Sequence, residues 1–146
     1  MIMNSKLFIA IFFLSICLSS CLNFGEEKTY EPNSKETNET IEWLLGLKLG
    51  NQITNSNLYE NSTGLDPYYY AKFSVNNFDF ENELDSTWSK SKTSGQVYVS
   101  ENDAPEWYKP ITDSASVVYT NKFNGGSKSI IHNIKTTECF VLYSTY

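Results

Sequence analysis

The sequence predicts an α+β domain built on a mainly antiparallel sheet of about five strands, with one or two helices packed on one face. Three observations carry this reading. Tyr68 to Val75 alternates, with Tyr69, Ala71, Phe73 and Val75 on one side of a strand and Tyr68, Tyr70, Lys72 and Ser74 on the other. Phe80, Leu84 and Trp88 recur every fourth residue, the spacing of an apolar helix stripe. The last third of the chain has three apolar runs separated by turn formers, which reads as a meander.

The elements follow in chain order. Ile41, Leu44, Leu45 and Leu49 fall at helical spacing behind Thr40, a possible cap, and predict a short helix over about Ile41–Leu47. Gln52 to Glu60 reads as a strand, and Asn61 to Asp66 as the hairpin connection to Tyr68–Val75. A helix is expected from about Asn77 to Lys90. Asp79, Glu81, Glu83 and Asp85 crowd its start and Lys90 and Lys92 its end, an order that complements the helix dipole. Gln96–Val99 is a candidate short strand, followed by a loop with two prolines, Ser100–Pro110. Ser116–Phe123, Lys128–Ile134 and Cys139–Thr145 then form the meander, joined by Asn124-Gly125-Gly126-Ser127 and Lys135-Thr136-Thr137-Glu138.

A chain of 146 residues suits one domain. Ten Tyr, nine Phe and three Trp supply 15% aromatic residues, so rings must fill much of the core. All seventeen carboxylates follow Cys21, against ten lysines there and no arginine, for a net charge of −7 in that part. Such a surface repels phosphate backbones, which excludes nucleic acid as an expected partner.

The N-terminus has its own logic. Lys6 precedes the apolar run Leu7–Leu18, twelve residues long and too short to span a bilayer. The run ends in Leu18-Ser19-Ser20-Cys21, which resembles the lipobox of bacterial lipoprotein precursors. That resemblance implies cleavage before Cys21, a diacylglyceryl group on its sulfur, and attachment to a lipid bilayer outside the cytoplasm. Leu22 does not resemble the aspartate retention signal of some lipoproteins, which favours the outer membrane where a cell has one. The expected organisation is a signal peptide over 1–20, a flexible acidic tether over 21–39 and a single domain over 40–146. With Cys17 removed and Cys21 acylated, Cys139 has no intrachain partner, and its run Cys139-Phe140-Val141-Leu142-Tyr143 reads as core.

Candidates for chemistry are sparse. One His and one free Cys supply no set of soft metal ligands, and no cofactor is expected. The carboxylates Asp79 to Asp85 lack the glycine of a calcium loop. His132 shares a strand face with Ile130 and Ile134, a packed rather than a catalytic setting. One segment stands out: Trp107 and Tyr108, bracketed by Pro105 and Pro110, form a candidate interaction surface with Asp103 and Glu106 beside them. The same stretch resembles one in small exported bacterial proteins, a resemblance that implies no activity. The alternative for this loop is a lid that folds Trp107 inward onto the core.

Together these features point to a membrane-anchored lipoprotein with a small noncatalytic binding domain, its partner an envelope protein or a glycan. A carbohydrate-binding module and an inhibitor or immunity lipoprotein are the alternatives, and a small envelope enzyme is the least supported. The anchoring expectation has a direct test. Intact-mass analysis of the mature protein should show loss of residues 1–20 and added acyl mass, and Cys21→Ser should abolish both, because serine has no thiolate to accept the lipid. A lipid-free product beginning at another residue would refute it.

Overall fold

The computed structural model describes residues 25–63, 66–92, 104–110 and 112–145. The signal segment, Cys21, the strand expected over Gln96–Val99, and Asp103 lie outside the described residues. Seven strands are present among them: β1 (Glu27–Thr29), β2 (Ile53–Asn61), β3 (Tyr68–Val75), β4 (Trp88–Lys92), β5 (Ser116–Phe123), β6 (Gly126–Asn133) and β7 (Glu138–Thr145). They form one sheet in the order β1-β2-β3-β7-β6-β5-β4, every neighbour antiparallel. An α-helix, α1 (Lys35–Leu45), and a single helical turn, α2 (Phe80–Glu83), complete the fold. The seam between β3 and β7, from Tyr68↔Ser144 to Ser74↔Glu138, joins the N-terminal hairpin to the C-terminal meander.

The alternation in β3 sets the two faces of the sheet. Ala71, Phe73 and Val75 join Ile41, Leu44 and Leu45 of α1 in the larger core, with Leu58, Ile130, Cys139 and Val141. Tyr70 points the other way and packs with Val118, Ile131 and Phe140. Cross-strand register explains the larger core directly: Leu58, Ala71, Val141, Ile130 and Tyr119 are successive partners across five strands, and all five are buried.

Two expectations are corrected. The first is the helix over Asn77–Lys90, which stops after one turn. Asp79 caps it by accepting from the Glu81 and Asn82 N–H groups, but Leu84 is already extended, with ψ at 135°. The Asp85 carboxylate then takes both the N–H and the hydroxyl of Thr87, closing a local turn that competes with helical bonding. Trp88–Lys92 pairs instead with β5, from Trp88↔Asn121 to Lys92↔Val117. The i, i+4 stripe was real as a burial signal: Phe80 is buried, and Leu84 and Trp88 pack on the same core. The edge ladder outweighed local helix propensity. This strand and the short β1 account for seven strands in place of five.

The second is the boundary at residue 40. The segment expected as tether already contributes β1, the buried Tyr30 and the first half of α1. Ser34 caps α1, its hydroxyl accepting from the Thr37 N–H at 3.1 Å, and Gly46 ends it in the left-handed conformation at φ 70°. The buried stripe is Thr37, Ile41, Leu44 and Leu45. Its first member is polar, which hid it. Thr37 satisfies its hydroxyl by donating to the Glu31 carbonyl at 2.6 Å.

The loop at 104–110 covers the face opposite α1. Tyr108 is 4% exposed, with its ring 4.8 Å from Tyr70 and 5.6 Å from Phe140, both edge to face. Its hydroxyl is buried and meets no hydrogen-bond partner among the described residues. Burial of an unpaired hydroxyl costs about 1–3 kcal/mol, so the ring, not the oxygen, is what stabilises the fold here. Tyr108→Ala should therefore cost about 3–5 kcal/mol in denaturant unfolding, as for other large buried rings. Tyr108→Phe should be neutral or raise stability by up to about 1 kcal/mol. A Phe variant less stable than the parent by more than that would mean that the hydroxyl is bonded.

Candidate functional site

The helix-facing side of the sheet carries a second cross-strand row, two residues along from the buried one. Glu60, Tyr69, Tyr143, Lys128, Asn121 and Trp88 are successive partners from β2 to β4, and every one is half-buried. This row lies where α1 stops covering the sheet. Its side chains meet protein on one side and solvent on the other.

At one end, Glu60 accepts from the Tyr30 hydroxyl at 2.8 Å and the Tyr69 hydroxyl at 3.2 Å. Burial, and after it the Glu60 charge, pushes the Tyr69 phenol up to about 12, so it stays a neutral donor at physiological pH. In the middle, Trp43 of α1 stands over the row. Its ring centroid is 6.2 Å from those of both Tyr69 and Tyr143, and it is 63% exposed. Trp43 is off the buried stripe of the helix, so its indole is held by ring edges instead of being buried.

Phe123, at the end of β5, stacks on Tyr143 at 5.6 Å and 28°. Gly126 makes that possible. A Cβ there would fall 2.5 Å from the Phe123 ring and 2.5 Å from the Ser144 carbonyl oxygen. The glycine is thus a seat for the ring.

Trp43, Leu44, Phe123 and Tyr143 supply the apolar lining of a groove of about 410 Å³. Thr87, Asn121, Lys122 and Lys128 supply its polar lining. The Asn121 amide donates to the Thr87 hydroxyl at 2.6 Å. That hydroxyl donates in turn to Asp85, and this bond is the main reason that the Asp85 carboxyl stays below its ordinary range. The Lys128 ammonium lies 5.9 Å from the Tyr143 ring centre and 6.0 Å from that of Phe123. The strands beneath are paired on both edges, β5 with β4 and β6, and β7 with β6 and β3. The main-chain groups of β5, β6 and β7 are spent in the ladder, so what these strands offer to the groove is side chains.

The residues singled out from sequence fall elsewhere. Glu106 is exposed, Trp107 is half-buried beside Tyr108, and Tyr108 is core, so the loop is a cover of the opposite face with Glu106 at its surface. His132 packs against Phe80, ring centroids 5.0 Å apart, and burial lowers its pKa. Ile134, expected on the same strand face, lies in the turn after β6 and is exposed. Cys139 is buried, and burial raises its thiol well above the usual range. Among the described residues, no three His, Cys, Asp or Glu side chains gather as metal ligands, and no helix is long and apolar enough to cross a membrane. The signal for the groove was present in the sequence: an indole among the polar positions of a helix whose apolar stripe runs elsewhere. Compared with protein-family models, curated proteins and solved structures, the chain has no significant match.

Proposed function

We propose that this chain is a noncatalytic carbohydrate-binding domain, carried outside the cytoplasm by lipid on Cys21, with the Trp43 groove as its recognition site. The observation that carries the reading is the 63% exposed indole of Trp43, edge to face with Tyr69 and tilted against Tyr143, at a groove that the stacked rings of Phe123 and Tyr143 also line. A pyranose presents a flat face of C–H groups and a rim of hydroxyls. Aromatic planes match the face. The Asn121 amide, with both donor and acceptor capacity, matches the rim. A groove of about 410 Å³ falls within the usual range for small-ligand sites and suits one or two sugar rings. A lipid anchor at the cell envelope would hold such a domain among glycans, the setting in which weak single-site binding becomes useful through many copies.

Trp43→Ala separates binding from folding. As a change at an exposed position it should alter stability by no more than about 0.5–1 kcal/mol. Affinity for a neutral N-acetylglucosamine oligosaccharide, titrated into the detergent-solubilised mature protein, should fall by about tenfold or more, as for other aromatic anchors. A stable Trp43→Ala protein that binds the sugar as the parent does would remove the groove from the functional account.

A further inference from the structure

Resting on the glycan reading above, the geometry points to a more specific ligand: we infer that the groove takes an acidic sugar, a uronic acid unit, and that Lys128 reads its carboxylate. The case begins with how the lysines are used. Lys28, Lys35, Lys48, Lys72 and Lys90 each form an ion pair with a carboxylate of the domain. Lys109, Lys122, Lys128 and Lys135 form none with a described carboxylate, and two of these four, Lys122 and Lys128, line the groove. In a chain with seventeen carboxylates and eleven lysines, two unpaired cations at one groove make a local charge opposite to the whole.

Lys128 is the better placed of the two. It is half-buried, whereas Lys122 is exposed. Its ammonium is held against the rings of Tyr143 and Phe123 at 5.9 and 6.0 Å. Asp85 favours its charge electrostatically but forms no ion pair with it, its hydrogen bonds going to the N–H and hydroxyl of Thr87. A partly desolvated ammonium without an ion-pair partner gains most from an anion that arrives with the ligand.

The geometry also selects the kind of anion. One ammonium beside one amide suits a monoanionic carboxylate. A phosphate or sulfate site would ordinarily gather more donors, and the chain has no arginine to supply a fork. Lys128 and Asn121 are direct cross-strand partners, so their polar ends can meet the two oxygens of one carboxylate. The ammonium lies about 6 Å from the centres of both rings, so an acid carried on the sugar ring itself, as the C5 carboxylate of a uronic acid is, stays within its reach when the sugar meets the aromatic lining.

The test uses one sugar in two charge states. The detergent-solubilised mature protein is titrated calorimetrically with a trigalacturonate, with its methyl ester, and with the neutral N-acetylglucosamine oligosaccharide. Esterification removes the charge and leaves rings and linkages unchanged. The acid form should bind at least tenfold more tightly than the ester. Lys128→Gln should erase that preference and Lys128→Arg should keep it, while Trp43→Ala should weaken acid and ester alike. Equal affinity for acid and ester would overturn the acidic-sugar inference and leave the groove as a neutral glycan site. A persisting preference in a folded Lys128→Gln protein would overturn the role of Lys128. No binding of any of the three sugars would overturn the glycan reading itself.

Discussion

The buried hydroxyl of Ser56 is the contact on which the geometry of this domain most depends. It sits at a bulge in β2, where the register with β3 shifts between Thr54 and Asn57 and Asn55 turns left-handed at φ 51°. The bulge aims Ser56 at the start of α1. Its hydroxyl donates to Asn38 at 2.6 Å, its N–H donates to the Asn33 side chain at 2.8 Å, and its carbonyl accepts from the Asn33 N–H at 3.0 Å. Ser56 itself is removed from water, so each of its polar groups left unpaired would cost about 1–3 kcal/mol. The other end of the helix is tied as firmly. Glu42 accepts from the N–H groups of Leu49 and Gly50 at 2.7 and 2.6 Å. Trp43 follows Glu42 in a helix pinned at both ends, which is why its indole keeps a fixed place over Tyr69 and Tyr143.

A small domain with many rings must decide which to bury. This one buries its aliphatic side chains and Phe73 and Phe80 between α1 and the sheet, and closes the other face with Tyr108. Four further rings gather beside the helix. Trp43, Tyr69, Tyr143 and Phe123 support one another through edge and stacked contacts. A patch of this kind is energetically poor as surface and good as a binding platform, because its rings are rigid before any ligand arrives. The seat provided by Gly126 extends the same logic to the Phe123 ring in the groove lining.

Much of the sheet was legible in the sequence because its signals are local. The alternation in Tyr68–Val75, and the Asn-Gly-Gly turn between β5 and β6, correspond to the observed strands with little error. The misreadings share one cause, which is that a distant partner decided the outcome. Trp88–Lys92 became a strand because β5 had an edge to offer. Residues 27–39 became part of the fold because β2 paired with β1 and Ser56 reached α1. For Trp107 and Tyr108 the sequence left display and a lid both open, and the choice rested on Tyr70 and Phe140, which Tyr108 covers. The groove itself joins α1 to residues more than forty positions further on, and no local pattern reports that meeting. Of its members, only the misplaced apolar character of Trp43 was visible.

The most direct test is the position of Trp43 in the free domain. Proton–proton NOE measurements in solution should show cross-peaks from the Trp43 indole to the rings of both Tyr69 and Tyr143, given centroid separations of 6.2 Å, with the opposite indole face accessible to a paramagnetic solvent probe. Cross-peaks to one or both rings that vanish, or an indole shielded on both faces, would contradict a preformed and open aromatic platform.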